Sequence, residues 1–151
     1  MERGIEVFNQ QTAQAVDMRR LQRFAELVYE KVRGLPCPEG HGVASVLKDL
    51  PGVEVAIVGD EVIAEVHERF MNIPGATDVI TFEHGEIVIS AETASVQGQL
   101  EGTTCDEEIG LYLVHGLLHL LGYDDRSEAT ATAMRSRQDE VFREFWEVAD
   151  A

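Results

Sequence analysis

Residues 115–125 read HGLLHLLGYDD, and the fold follows from how this stretch is read. It continues an apolar run that begins at residue 107, EEIGLYLVHGLLHLLG. A helix apolar nearly all round has no face for water and belongs in the centre of a domain. Thr104 followed by Glu107 gives the reciprocal side-chain pattern that opens a helix. Gly122 stands where a helix of this kind ends.

On that helix His115 and His119 are one turn apart, with Cβ atoms about 5–6 Å from each other. Two imidazoles so placed can share one metal ion at about 2.0–2.1 Å from each nitrogen. Gly122 allows a sharp turn just past the second histidine and brings Tyr123, Asp124 and Asp125 back toward the helix end. His115, His119 and Asp125 therefore form a candidate three-ligand zinc site with a fourth position open to water, the pattern of a catalytic zinc. The competing reading is a pair of satisfied core histidines. Two rings left unpaired among leucines would cost about 1–3 kcal/mol each, a cost that coordination removes. The frame resembles that of the HExxH metallopeptidases, but Gly116 stands where their general base would be. That gap argues against peptidase chemistry.

Working outward, residues 5–9 and 53–59 read as strands, and residues 77–82 and 85–90 as a hairpin turned at Glu83, His84 and Gly85. Helical spacing appears over 17–36, stopped by Gly34 and Pro36, and over 60–72, with Asp60 as N-cap. A short helix is expected over 91–104, ending near Gly98 or Gly102, and a last helix capped by Ser127 or Asp125. Residues 37–52 carry turn residues and no regular pattern, and His41 reads as a loop residue between two glycines. The expected architecture is α/β (α+β): a single domain, residues 1–151, with a mixed four-stranded sheet, about five helices and the metal-bearing helix buried across the sheet.

Composition narrows the function. No apolar run reaches the roughly 18–20 residues that span a bilayer, and the first residues lack the core of a signal peptide. A soluble, cytoplasmic chain is expected, with Cys37 and Cys105 as isolated thiols in a reducing compartment. The formal net charge is −16, from 12 Lys and Arg against 28 Asp and Glu. That excludes a general nucleic-acid coat protein, which needs a basic surface. Between Lys48 and Arg126 the one Lys or Arg is Arg69, so any basic face comes mostly from the two ends of the chain.

HGLLHLLGYDD resembles the HGxLHLxGYDH signature of the YbeY family of bacterial rRNA maturation factors. TDVITF at 77–82 is similar to that family's TDVLSF, GEIVIS at 85–90 to its GDIVIS, and EEIGLYLVHG to its approach to the metal helix. The resemblance covers about residues 54–146. It implies metal-dependent, single-strand-specific endoribonuclease activity in small-subunit rRNA maturation and ribosome quality control. The implied cofactor is one zinc ion held by three histidines. Two of these fall on His115 and His119; the third falls on Asp125, so another divalent metal is also compatible. Asp124 keeps the family's aspartate and is expected to steer the motif from behind the ligands. The family's arginine six residues before the TDV threonine falls on Met71, which leaves Arg69 as a stand-in phosphate contact. Asp78 is expected to cap a turn, and His67 and His84 to lie on the surface. The implied partners are single-stranded rRNA, a small-subunit ribosomal protein and a ribosome-assembly GTPase. The alternative is a non-enzymatic ribosome assembly factor whose metal is structural and which docks on a ribosomal protein.

Overall fold

The computed structural model describes residues 4–151. The strands are β1 (Ile5–Asn9), β2 (Val53–Val58), β3 (Val79–Phe82) and β4 (Glu86–Ser90). They form one mixed sheet in the order β1-β2-β4-β3, in which only the β3–β4 hairpin is antiparallel. The helices are α1 (Met18–Arg33), α2 (Asp60–Met71), α3 (Ala91–Glu101), α4 (Cys105–Leu121) and α5 (Glu128–Asp150). The single α+β domain with five helices on a four-stranded sheet is as the sequence implies. None of these helices is long and apolar enough to cross a membrane.

Side chains alternate across the sheet, so its two faces carry different burdens. Val7, Val55, Ile57, Ile87 and Ile89 belong to the main core with the apolar side chains of α1, α4 and α5. Each such side chain, fully buried, contributes about 1.5–3 kcal/mol of transfer free energy. The opposite face holds a smaller cluster of Val58, Ile63, Ile80 and Val88 beneath α2.

Helix α4 lies at the centre because its sequence lets it approach neighbours on several sides. A Cβ at Gly110 would come within 3.1 Å of Phe142 and Trp146 and 3.3 Å of Phe24. Those three rings form an aromatic knot, with centroids 5.1–5.6 Å apart. On the sheet side, a Cβ at Gly116 would meet Ile87 at 2.8 Å.

Some boundaries differ from the sequence reading. Strand β2 stops at Val58, and Gly59, not Asp60, is the N-cap of α2. Asp60 is instead the first helical residue. Its carboxylate accepts hydrogen bonds from Ser90 Oγ (2.5 Å) and Thr93 Oγ1 (2.6 Å), and its backbone N–H donates to Glu92 (2.8 Å). The N-terminus of α2 is thus capped from α3, by partners some thirty residues away in sequence. Ser127 caps α5, and α3 ends at Gly102 with φ +76°. Within the loop 37–52, residues Leu47–Asp49 form one 3-10 turn.

Candidate functional site

The capping box expected at the start of α4 is present. Thr104 Oγ1 accepts from Glu107 N–H (3.1 Å), and the Glu107 carboxylate accepts from Thr104 N–H (2.9 Å). At the other end Gly122 adopts φ +122°, its N–H bonded to the Leu118 and His119 carbonyls. The chain then turns as Gly122 allows.

Burial singles out the candidate site. From Leu111 through Asp124 every residue is buried except Leu111, His115 and His119. Positions i, i+4 and i+8 share one stripe, so the helix opens to solvent along a single line that carries both imidazoles. His115 Nδ1 lies 3.0 Å from Gln138 Oε1 on α5. With that oxygen accepting, Nδ1 carries the proton and Nε2 keeps a free lone pair. The His119 pKa is lowered, first by burial and then by the neighbouring His115; the charges of Asp125 and Glu83 oppose this. Burial and a like neighbour together hold this ring in its neutral form.

Asp125 is exposed and lines the same cleft as His115, a space of about 830 Å³ between α4, α5 and the C-terminal end of α3. Glu108, one turn into α4, faces the cleft as well and accepts from Thr103 Oγ1 (3.0 Å). Burial raises the pKa of its carboxyl group. Burial and the adjacent Glu108 also raise that of the Tyr112 phenol.

Asp124 turns away from the cleft. Its carboxylate accepts from the backbone N–H of Gly42 and, at 3.2 Å, from that of Arg126. The Gly42 bond, with further help from Thr130, lowers its pKa to about 2. Its own N–H donates to His41 Nδ1 at 2.8 Å. The His41 side chain is 5% exposed, and its ring meets Tyr123 edge-on. His41 is therefore part of the frame that fixes the helix end, a role its loop position between glycines did not indicate. The flanking glycines carried a partial signal: a Cβ at Gly42 would crowd Arg126 at 3.2 Å and Asp124 at 3.4 Å.

The remaining sequence candidates sit elsewhere. Arg69 is exposed near the end of α2, its guanidinium 5.7 Å from the Phe70 ring, and it is not among the cleft-lining residues. Asp78 sits at a bend just before β3, where its carboxylate accepts from Val79 N–H (2.7 Å) and from Thr77 Oγ1 (3.4 Å). His67 bonds the Gly75 carbonyl at 3.0 Å, and His84 stacks on Phe82.

The structure thus brings His115 and Asp125 to one cleft, with His119 close enough to feel the charges of both. Among the described residues, no three His, Cys, Asp or Glu side chains are gathered in metal-ligating geometry. The donor chemistry suits a divalent ion: two rings on one stripe, one held neutral and the other with a free Nε2, beside a carboxylate. Joint coordination by all three requires the side chains to draw together.

This α+β scaffold with an HxxxH helix opening on a cleft has clear relatives. The family model described as Endoribonuclease YbeY matches residues 6–146, and the chain belongs to the YbeY endoribonuclease family. The chain is 31% identical to the endoribonuclease YbeY of Thermobifida fusca over 155 residues, spanning 91% of each protein. It is 36% identical to that of Acholeplasma laidlawii over 63% of this chain and 75% of the relative. The solution structure of TM1509 from Thermotoga maritima has the same fold, with a TM-score of 0.58 and 21% identity over 97% of this chain and 95% of that one.

Proposed function

We propose that this protein is a metal-dependent, single-strand-specific endoribonuclease that hydrolyses rRNA phosphodiesters during small-subunit maturation and ribosome quality control in the cytoplasm. His115, His119 and Asp125 hold one divalent ion, zinc foremost, and Asp124 holds the loop that carries Asp125. The observation that carries this reading is the part-exposed stripe of an otherwise buried helix segment, which carries both imidazoles and sets His115 in a cleft shared with Asp125. A bound ion would polarise a phosphoryl oxygen as a Lewis acid and ease deprotonation of the attacking water.

The chain's own groups do the rest. Gln138 holds the His115 proton on Nδ1 and leaves Nε2 to face a ligand. Burial keeps His119 neutral, and hence a competent donor, near neutral pH. Gly116 offers no general base, so no carboxylate of the HExxH kind acts here.

A second reading is an assembly factor that works by docking on a small-subunit ribosomal protein or an assembly GTPase. It is favoured by the strongly acidic composition, which suits a basic partner. The two separate cleanly. Labelled single-stranded rRNA is incubated with metal-loaded protein and with His115→Ala and Asp125→Ala, and the metal content of each is measured. Cleavage by the parent alone, with metal lost in both variants, is the expected result. Unchanged metal content in Asp125→Ala would remove Asp125 from the ligand set. No cleavage by any sample, with tight binding to a basic ribosomal protein, would favour the docking role.

A further inference from the structure

Helix α5 carries three arginines, and they divide by face. Arg137 is tied down: its guanidinium donates to the Tyr123 hydroxyl (3.3 Å) and to Glu140 (3.0 Å). Arg135 and Arg143 are exposed, line the cleft that contains His115 and Asp125, and have no hydrogen-bond or ion-pair partner among the described residues. They stand at i and i+8 on one ridge, about 12 Å apart along the axis.

What sets these two apart, in a chain with a net charge of −16, is their place on the wall of the cleft that holds His115 and Asp125. Arg20 bonds the Trp146 carbonyl at 2.8 Å and Lys31 lies 3.5 Å from Glu144, while Arg19, Arg23 and Arg69, which also have no hydrogen-bond or ion-pair partner among the described residues, lie outside this cleft. Asp139 lies between the two cleft arginines on the same ridge and is within ion-pair distance of neither. Gln138, which touches His115, sits one turn from Arg135, so this part of α5 faces the imidazole stripe directly.

An unpaired guanidinium at a cleft wall presents a fork of donors that matches the geometry of a phosphate. Two such forks in the cleft that holds His115 suit consecutive stretches of a polyanionic strand. We infer that Arg135 and Arg143 are the backbone-phosphate contacts for single-stranded RNA entering the cleft, so that α5, not Arg69 on α2, is the strand-binding element. The inference rests on the ribonuclease reading for its substrate class. The acidic groups that share the cleft, Glu101, Glu108, Asp125 and Asp139, confine the attraction to these two points.

The test is the salt dependence of binding to a labelled, single-stranded 2′-O-methyl oligonucleotide. The parent is compared with Arg135→Gln/Arg143→Gln, with Arg69→Gln, and with Arg19→Gln/Arg23→Gln. The last pair removes equal charge from the exposed side of α1. The slope of log affinity against log salt is expected to fall by about 0.7 for each cleft arginine removed. Affinity is expected to drop at least about tenfold, with the Arg69 and α1 variants within about twofold of the parent. Circular dichroism melting confirms that each variant is folded. An unchanged slope in the α5 double variant, or an equal loss in the α1 control, overturns the inference. Arginine-dependent binding with no cleavage of ordinary RNA by the parent leaves the inference standing and removes the nuclease reading. Cleavage with an α5-independent slope does the reverse.

Discussion

At Gly116 helix α4 packs closely on the sheet, which crowds out a side chain at the position where the HExxH enzymes carry their general base. A single Cβ at this position would lie 2.8 Å from Ile87 Cδ1 and 3.0 Å from its Cγ2. A glutamate would have to displace the Ile87 side chain. The two histidines and Asp125 could be proposed from sequence because i, i+4 spacing and a glycine turn are local facts. Gln138 could not, because its partner His115 lies 23 residues away across a helix–helix contact. Its contribution is nonetheless specific. With Gln138→Leu, the His115 Nδ1 proton loses its acceptor, and ¹⁵N NMR of the metal-free protein is expected to show a mixture of tautomers in place of one. Metal affinity should weaken about tenfold or more. Gln138→Glu keeps an acceptor oxygen and should restore both signals. A single unchanged tautomer in Gln138→Leu would mean that the bond does not set the proton's position.

At the scale of elements, the helices were the legible part. The caps of α4 and α5 are short-range: Thr104 with Glu107, Gly122, and Ser127 with Thr130 all act within four residues. The β3–β4 hairpin announced itself in the same way. Strand order did not, because β2 pairs with β1 and β4 only after two helical crossovers. The loop before β2 was the least legible segment, and it clamps the site. Gly42 N–H bonds the Asp124 carboxylate, Asp124 N–H bonds His41, and Val46 N–H bonds the Leu120 carbonyl at 2.9 Å. These contacts close a strap over the end of α4 and fix the path of the chain into Asp125. His41→Ala leaves the Asp124 N–H buried without an acceptor, and a loss of about 1–3 kcal/mol in urea unfolding is expected. Metal affinity should fall with it, since Asp125 is the next residue. If stability falls while metal binding is unaffected, the strap serves the fold alone.

Across the whole molecule, charge is the dominant tension. Glu6, Glu54 and Glu86 stand side by side in register across three strands, on the sheet face away from α4. Like charges so aligned oppose folding. Within the cleft, Glu108 adds a different cost, because its buried carboxyl group has a raised pKa. A raised carboxylate stabilises the fold when protonated. Its contribution is complete below the usual glutamate value near 4.5 and is lost as pH rises through the raised value. Asp124 works in the opposite sense: its contribution is present above about 3.8 and disappears as pH falls toward about 2. Glu108→Gln removes the first term and leaves the second. The variant should therefore melt above the parent at mildly alkaline pH. The gap should close as pH falls through the raised value toward about 4.5, and both proteins should lose stability together as Asp124 protonates. If Glu108→Gln is instead the less stable protein at alkaline pH, the ionised carboxylate supports the fold. Glu108 would then be a structural anion, not a source of strain at the cleft.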